Sequence, residues 1–379
     1  MTLSRRALLS ASALLIARPR AARADTPTEA LIHPATDARA DPLALCWNEN
    51  PYGPGPAARA AMNAAVTQSF RYPDNDLPQL MDALAKKEGV SVDHLVTGTG
   101  SGELLCALGY LAARKGGEIL FAEPTYLEMT DYAKRAGAAL RAVPVDAAKR
   151  LDLKAMRAAV GASTRAVYVC NPNNPTGTAV PRAALREFAV SLPPEVTLIV
   201  DEAYMEFVED PAVGSVADLA TSGRRVVVLR TFSKIHGMAG VRCGYAITRP
   251  DIAAELAAAR QTTPNIYAVR AAIASLGDAA FLSDTRRRII ASRQRVCRGL
   301  EALGLEYAQP HGNFVFFDTG MPLQDFTERM RARNILVARR FPPFNNWCRI
   351  SIGREHDIDT FLAALRAVHD EVGRQRKPG

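Results

Sequence analysis

Residues 230–247 read Arg230-Thr-Phe-Ser-Lys234-Ile-His-Gly-Met-Ala-Gly-Val-Arg242-Cys-Gly-Tyr-Ala-Ile247. The apolar run Val226-Val227-Val228-Leu229 leads into this stretch and has the look of a buried strand. Two hydroxyls, Thr231 and Ser233, then Lys234, then Arg242 eight residues later, follow the strand end. Gly237, Gly240 and Gly244 leave the backbone between them free to turn tightly. A lysine near apolar surroundings and a second cation loses proton affinity and can serve as an amine nucleophile. An arginine with hydroxyls beside it is a candidate phosphate site. Taken alone, the stretch fits a solvated lysine and an ion-paired arginine equally well.

Working outward, short apolar segments alternate with helical ones. Strands are expected at 94–97, 119–121, 139–143, 166–170, 196–200, 226–230 and 244–248, with helices at 57–69, 77–88, 127–136, 152–160 and 181–191. That alternation predicts an α/β fold with a mostly parallel sheet between helices. Polar groups recur at the carboxyl ends of the strands: Ser101 and Gly102 after Gly98-Thr-Gly100, Tyr126, Asn174, Asp201, Tyr204 and Lys234. Open α/β sheets bind ligands at that edge. The 98–102 glycine turn opens a helix and so offers N–H groups and a positive dipole end to an anion. Its spacing fits neither the nucleotide P-loop nor the dinucleotide fingerprint.

Beyond residue 250 the composition changes. Residues 251–305 are expected to be helical, with a basic, solvated face from Arg286 to Arg298. Strands at 314–317, 335–337 and 347–353 and helices at 323–333 and 356–374 make a smaller α+β domain. The boundaries expected are 1–24 for a leader, 25–56 for an arm and loop joining the small domain, 57–260 for the large domain and 261–379 for the small one. In the loop Trp47-Asn-Glu-Asn-Pro-Tyr52-Gly-Pro-Gly-Pro56, turn chemistry explains Asn48, Asn50 and Tyr52 as well as a binding role does.

The chain has 379 residues, 48% hydrophobic and 23% charged, ordinary for a soluble globular protein. Its formal charge is +8, but five arginines fall in the first 24 residues, and removing those five leaves +3. The basic balance therefore gives little support for a nucleic-acid partner. Arg5-Arg6, the short apolar stretch Ala7–Ala17 and Ala22-Arg23-Ala24 resemble a twin-arginine export leader with cleavage before Asp25. Seventeen residues or more are needed to span a bilayer, so no stable insertion is expected once the leader is removed. The location expected is periplasmic or otherwise exported. The six cysteines are scattered, without metal-ligand spacing, so no metal is expected.

In combination, Asn174-Pro-Thr-Gly, Asp201-x-x-Tyr204, Thr231-Phe-Ser233-Lys234 and Arg242 resemble the fold-type I aminotransferases that use pyridoxal 5′-phosphate (PLP). Asn48-Glu-Asn-Pro-Tyr52-Gly, Asn171–Gly177 and Arg349-Ile-Ser-Ile-Gly353 resemble the histidinol-phosphate aminotransferase branch, over about residues 44–370. The resemblance implies an amino-group transfer between an amino acid and a 2-oxo acid by a ping-pong mechanism. The amino donor would be histidinol phosphate, or an aromatic or other free amino acid. It implies that Lys234 bonds the cofactor aldehyde and that Asp201 holds a proton on the pyridine nitrogen. Tyr204 and Asn174 would bind the ring oxygen, and Tyr126 would stack on the ring. Ser101, Gly102, Thr231, Ser233 and Arg242 would hold the phosphate. Tyr72 would come from the neighbouring subunit of a homodimer, and Arg349, with Asn50 and Tyr52, would take the substrate. One departure stands out: where the branch places an arginine after the Ile-x-Val run, this chain has Ala338, followed by Arg339 and Arg340. A PLP-dependent decarboxylase or lyase of the same fold is the alternative reading.

Overall fold

The computed structural model describes residues 41–375, so the leader expected at 1–24 and the arm up to residue 40 lie outside the described residues. From Pro42 onward the chain is one compact unit. It opens with β1 (Leu43–Leu45), α1 (Pro56–Ala65) and α2 (Leu77–Glu88). An alternating series follows: β2 (Leu95–Gly98), α3 (Ser101–Arg114), β3 (Glu118–Glu123), α4 (Glu128–Arg135), β4 (Ala139–Pro144) and α5 (Leu153–Ala159). It continues with β5 (Thr164–Cys170), α6 (Arg182–Ser191), β6 (Thr197–Asp201), α7 (Ala217–Ala220), β7 (Val226–Thr231) and β8 (Gly244–Thr248). The last part is α8 (Pro250–Ala259), α9 (Ile266–Leu276), α10 (Ala279–Glu301), β9 (Phe314–Asp318), α11 (Leu323–Arg331), β10 (Ile335–Val337), β11 (Trp347–Ser351) and α12 (Glu355–Gln375).

Seven strands form the central sheet in the order β2-β8-β7-β6-β5-β3-β4. All pairings are parallel except those of β8, which runs antiparallel to both β2 and β7. The strands are near-continuous apolar runs because both faces are covered. Alternation along β5 divides its side chains between two cores: Val167 and Val169 join one, Ala166, Tyr168 and Cys170 the other. Val228 of β7 and Val200 of β6 lie on the first side, Val227, Leu229 and Ile199 on the second.

A second body is built on the antiparallel pair β9–β11 and the parallel pair β1–β10. Its core draws Val315, Phe317, Ile350 and Phe361 together with Leu45, and also Tyr204, Phe207 and Ile235 from loops beside the central sheet. The two bodies therefore share apolar surface at the strand ends where the polar groups gather.

Two expectations are corrected and a third is refined. Residues 251–305 are helical as expected, divided into three helices, with irregular backbone at 260–265. The alanine-rich α9 packs Ala268, Val269, Ala271 and Ala272 into the central-sheet core, so the change of core falls after α9, not at residue 260. The basic stretch of α10 is not uniformly solvated. Arg293 is buried and donates to the carbonyls of Phe207 (3.2 Å) and Gly312 (2.8 Å) and to Glu209 (2.7 Å). Arg286 donates from Nε to the Glu206 carbonyl at 2.8 Å. These arginines satisfy carbonyls at the end of the segment after β6, a use of charge that no local pattern announces.

Candidate active site

Because β2, β3, β5, β6 and β7 all point the same way, their carboxyl ends meet on one edge. The extended backbone leaving β2 turns at Gly100, whose φ of +79° favours glycine, and enters α3 at Ser101. A methyl at Gly100 would run into the Arg242 guanidinium, and one at Gly244 would run into the Ser101 amide. The missing side chains thus let the start of β8, the arginine and the N-terminus of α3 close on one another. Thr231 Oγ1 donates to Ser233 Oγ at 2.9 Å and accepts from the Ser233 amide at 3.1 Å, holding both hydroxyls at the end of β7. Arg242 has φ +69° and donates to the Ala239 carbonyl at 2.8 Å.

Lys234 follows this turn. Its Nζ donates to the Asn48 carbonyl at 3.1 Å and stands 5.4 Å from the centre of the Tyr204 ring. Burial, then the nearby Arg349 charge, lowers its proton affinity from 10.5 to about 8, against the pull of Asp201. Asp201 closes β6 and is 3% exposed. The Ala203 amide donates to its Oδ1 at 3.1 Å and the Tyr168 hydroxyl approaches Oδ2 at 3.3 Å. Burial raises its pKa from 3.8 to about 6, the hydrogen bonds opposing. Among the described residues no cation lies in ion-pair range of it.

Tyr204 accepts from Asn48 Nδ2 at 3.1 Å and sits 3.5 Å from Asn174 Nδ2. Burial raises its hydroxyl pKa. Arg349 lies on β11 of the second body yet reaches this group. Its Nη1 donates to Asn174 Oδ1 at 2.5 Å and its Nη2 to the Cys46 carbonyl at 2.6 Å. Its guanidinium stands 5.1 Å from the Phe341 ring centre and 5.7 Å from that of Phe314. Its Nε is buried without a partner, and among the described residues no carboxylate pairs with it. Burial lowers its pKa. A buried guanidinium without a counter-ion is expensive. Tyr126 stands at the rim, 37% exposed, its hydroxyl 2.5 Å from Glu128 Oε2.

The structure thus assembles Ser101, Gly102, Thr231, Ser233, Arg242, Lys234, Asp201, Tyr204, Asn174 and Arg349, with Tyr126 at their edge. Two expected residues, Asn50 and Tyr52, have their side chains engaged elsewhere. Asn50 donates from Nδ2 to the Ile235 carbonyl at 2.9 Å and accepts from the Tyr52 amide, so it ties the loop to the lysine segment. Tyr52 packs against the second core, with the Arg288 guanidinium 5.3 Å from its ring and Glu355 nearby. The turn sequence fixed the backbone there but not the side-chain direction. Tyr72, expected to act from the neighbouring subunit, is 86% exposed in the single chain.

For Asn48, the sequence left turn chemistry and a binding role equally open. It is buried, holds φ +56°, and serves Lys234 through its carbonyl and Tyr204 through its amide. Ser351 accepts from its backbone amide at 2.7 Å, and Asn313 donates to its carbonyl at 3.0 Å. An asparagine before Glu-Asn-Pro looks like a turn residue, and the signal that sets it apart is tertiary.

Residues 40–365 match the family described as aminotransferase class I and II. The chain belongs to that family. Its relatives include histidinol-phosphate aminotransferase of Moorella thermoacetica, 36% identical over 86% of each chain. Aromatic amino acid aminotransferase of Mycobacteroides abscessus is 37% identical over 86% of this chain and 92% of that protein. The solved histidinol-phosphate aminotransferase of Sinorhizobium meliloti, in complex with pyridoxal-5′-phosphate, superposes with a TM-score of 0.81 at 30% identity, covering 88% of this chain and 92% of that one. The protein is a PLP-dependent aminotransferase, similar to the histidinol-phosphate enzymes. The residues present fit the cofactor: a cradle where Gly100 and Gly102 leave no room for a side chain, a buried carboxylate that no cation pairs with among the described residues, and a buried lysine of lowered proton affinity.

Proposed function

We propose that this aminotransferase takes its amino group from a free amino acid bearing an α-carboxylate and an aromatic or imidazole side chain, and gives it to a 2-oxo acid. The observation that carries this is Arg349, buried, without an acidic partner among the described residues, and backed by Phe314 and Phe341. A carboxylate meeting its planar fork relieves the unpaired charge. Phe341, Phe344 and Trp347 gather with Phe316 in an apolar cluster behind it. Histidinol phosphate is the second reading. Ala338 is buried and cannot contact an anion, whereas Arg339 stands over Phe341 at 4.7 Å, on the same ring as Arg349.

PLP, when bound, supplies an aldehyde and a ring that withdraws electrons from the substrate α-carbon. The chain's residues do the rest. Lys234, neutral for part of the time near pH 8, carries the proton at the substrate carbon. Asp201 holds the proton at the ring nitrogen. Tyr204 and Asn174 would hold the ring oxygen, and Arg242, Thr231, Ser233 and the α3 amides would hold the phosphate. A screen of the PLP-loaded protein against phenylalanine, tyrosine, histidine and histidinol phosphate, with 2-oxoglutarate, tests the donor. Carbon dioxide release from the free amino acids, without 2-oxo acid, would overturn the proposal.

We further propose a homodimer whose interface takes in Val66, Phe70 and Tyr72, exposed by 56%, 74% and 86% in the single chain. Sedimentation giving only the mass of one chain at micromolar concentration argues against it. Export is proposed from Arg5-Arg6. Arg5→Lys with Arg6→Lys should retain the protein in the cytoplasm, and unchanged export would remove that proposal.

A further inference from the structure

Lys149 belongs to none of the motifs above, yet it touches both walls of the site. It follows β4 in a turn, with φ +62°, and its side chain is 13% exposed. Its carbonyl accepts from Thr178 Oγ1 at 2.7 Å. Thr178 is hydrogen-bonded to Thr176 at 2.8 Å, and Thr176 accepts from Asn173 Nδ2 at 3.0 Å. That chain of bonds fixes the loop carrying Asn174. At its other end, Nζ of Lys149 stands 4.3 Å from the centre of the Trp347 ring and donates to Glu306 at 2.5 Å.

Trp347 lies two residues before Arg349 on β11, so both side chains leave the same face of that strand. Its ring sits 5.0 Å from Phe316 and 5.8 Å from Phe344. Phe316 in turn meets Phe341, the ring on which Arg349 rests. Among the described residues, the direct bond from the Asn174 side chain to this second wall is the one it accepts from Arg349. Lys149 runs parallel to that bond as a second tie between the same two walls.

We propose that Lys149 is a positioning residue. Its backbone anchors the Asn174 loop, its ammonium holds the Trp347 face, and together they set the distance and angle at which Arg349 meets a substrate carboxylate. Glu306 is 65% exposed, so the ion pair adds little and the cation–π contact carries the restraint. The phosphate cradle and Asp201 lie on other elements and do not depend on it.

This rests on Arg349 as the carboxylate clamp, and the experiment separates the two. PLP-loaded wild type and Lys149→Met, Lys149→Arg, Trp347→Phe and Arg349→Leu variants are titrated with 3-phenylpropanoate, an acid with no amino group. PLP affinity and melting temperature are measured alongside. Lys149→Met should weaken the acid about tenfold, with PLP affinity within about twofold of wild type. Lys149→Arg should restore binding, and Trp347→Phe should weaken it to a smaller degree. With substrate, KM should rise while kcat holds. Unchanged acid affinity in Lys149→Met, with Arg349→Leu defective, overturns this inference alone. An equal loss of acid and PLP affinity also overturns it, because a general loosening would then explain both. Wild type that binds PLP but no acid removes the clamp reading and this inference with it. Should Lys149→Met fail to fold, Trp347→Phe decides by the same criteria.

Discussion

Replacing Lys234 with methionine should make the cofactor-free protein more stable, although it abolishes the reaction. The folded chain holds this amine at about 8, against 10.5 in water. An amine whose proton affinity is lowered on folding is a burden below its folded pKa. The unfolded chain binds the proton more readily there. The cost at pH 7 is about 3 kcal/mol on this reasoning. Methionine keeps the length of the apolar stem and removes the charge. It also loses the hydrogen bond to the Asn48 carbonyl, but Asn313 Nδ2 still donates to that oxygen at 3.0 Å, so little is given back. The expected net gain is about 2 kcal/mol at pH 7. The sign of its pH dependence is fixed. Wild-type stability should rise from pH 8 to 10.5 relative to the variant, because only the unfolded lysine still binds its proton there. Urea denaturation of both proteins, freed of cofactor, at pH 7, 9 and 10.5 measures the gap. A variant less stable than wild type at pH 7, or a gap that does not narrow with pH, refutes the reasoning.

Arg349→Leu should raise the pH midpoint at which Lys234 reacts with pyridoxal, since Arg349 is its largest source of repulsion after burial, whereas Asp201→Asn should lower it. Both are read from the rate of absorbance change against pH, and equal shifts of one sign would contradict the assignment. Asp201→Asn should also slow transamination at least about a hundredfold, with the protein still taking up PLP; a half-reaction monitored by absorbance gives the rate. Gly244→Ala should destabilise the fold by about 2 kcal/mol or more, because its methyl meets the Ser101 backbone amide, whereas Gly102→Ala meets only the movable end of Glu128 and should fold normally. Thermal melts of the pair separate these outcomes.

Much of the site was legible because the chemistry recurs at one place in each repeat of the chain. Asn174, Asp201 and Lys234 each follow an apolar run, and a parallel sheet brings such ends to one edge whatever its strand order. The order itself, and the reversal of β8, depend on which strands pair across loops, and nothing local records that. Arg349 could be proposed from an arginine within an apolar frame, since such a charge needs a purpose. Asn48, Lys149 and Arg293 could not, because each acts through carbonyls or rings far away in sequence. The break between α8 and α9 was hidden for another reason. Alanine favours helix on every side, so a stretch rich in it shows neither a strong stripe nor a clear end.

Asn48 binds Ser351 across 303 residues of sequence and Tyr204 across 156. The amide and carbonyl that steady the reactive lysine and tyrosine are thus near the front of the chain, and the groups that hold them are near its back. Loop closure over such a span is slow and brings no reward until both ends are in place. On a ribosome, the central sheet can form while residues 42–50 still lack β10, Asn313 and Ser351, with only Tyr204, Lys234 and the Ile235 carbonyl to meet them. The contacts that complete the segment come last in synthesis, when β10 pairs with β1 and Ser351 of β11 accepts from the Asn48 amide. A nascent chain halted before residue 347 should protect its sheet from proteolysis and leave the segment around Asn48 open to cleavage.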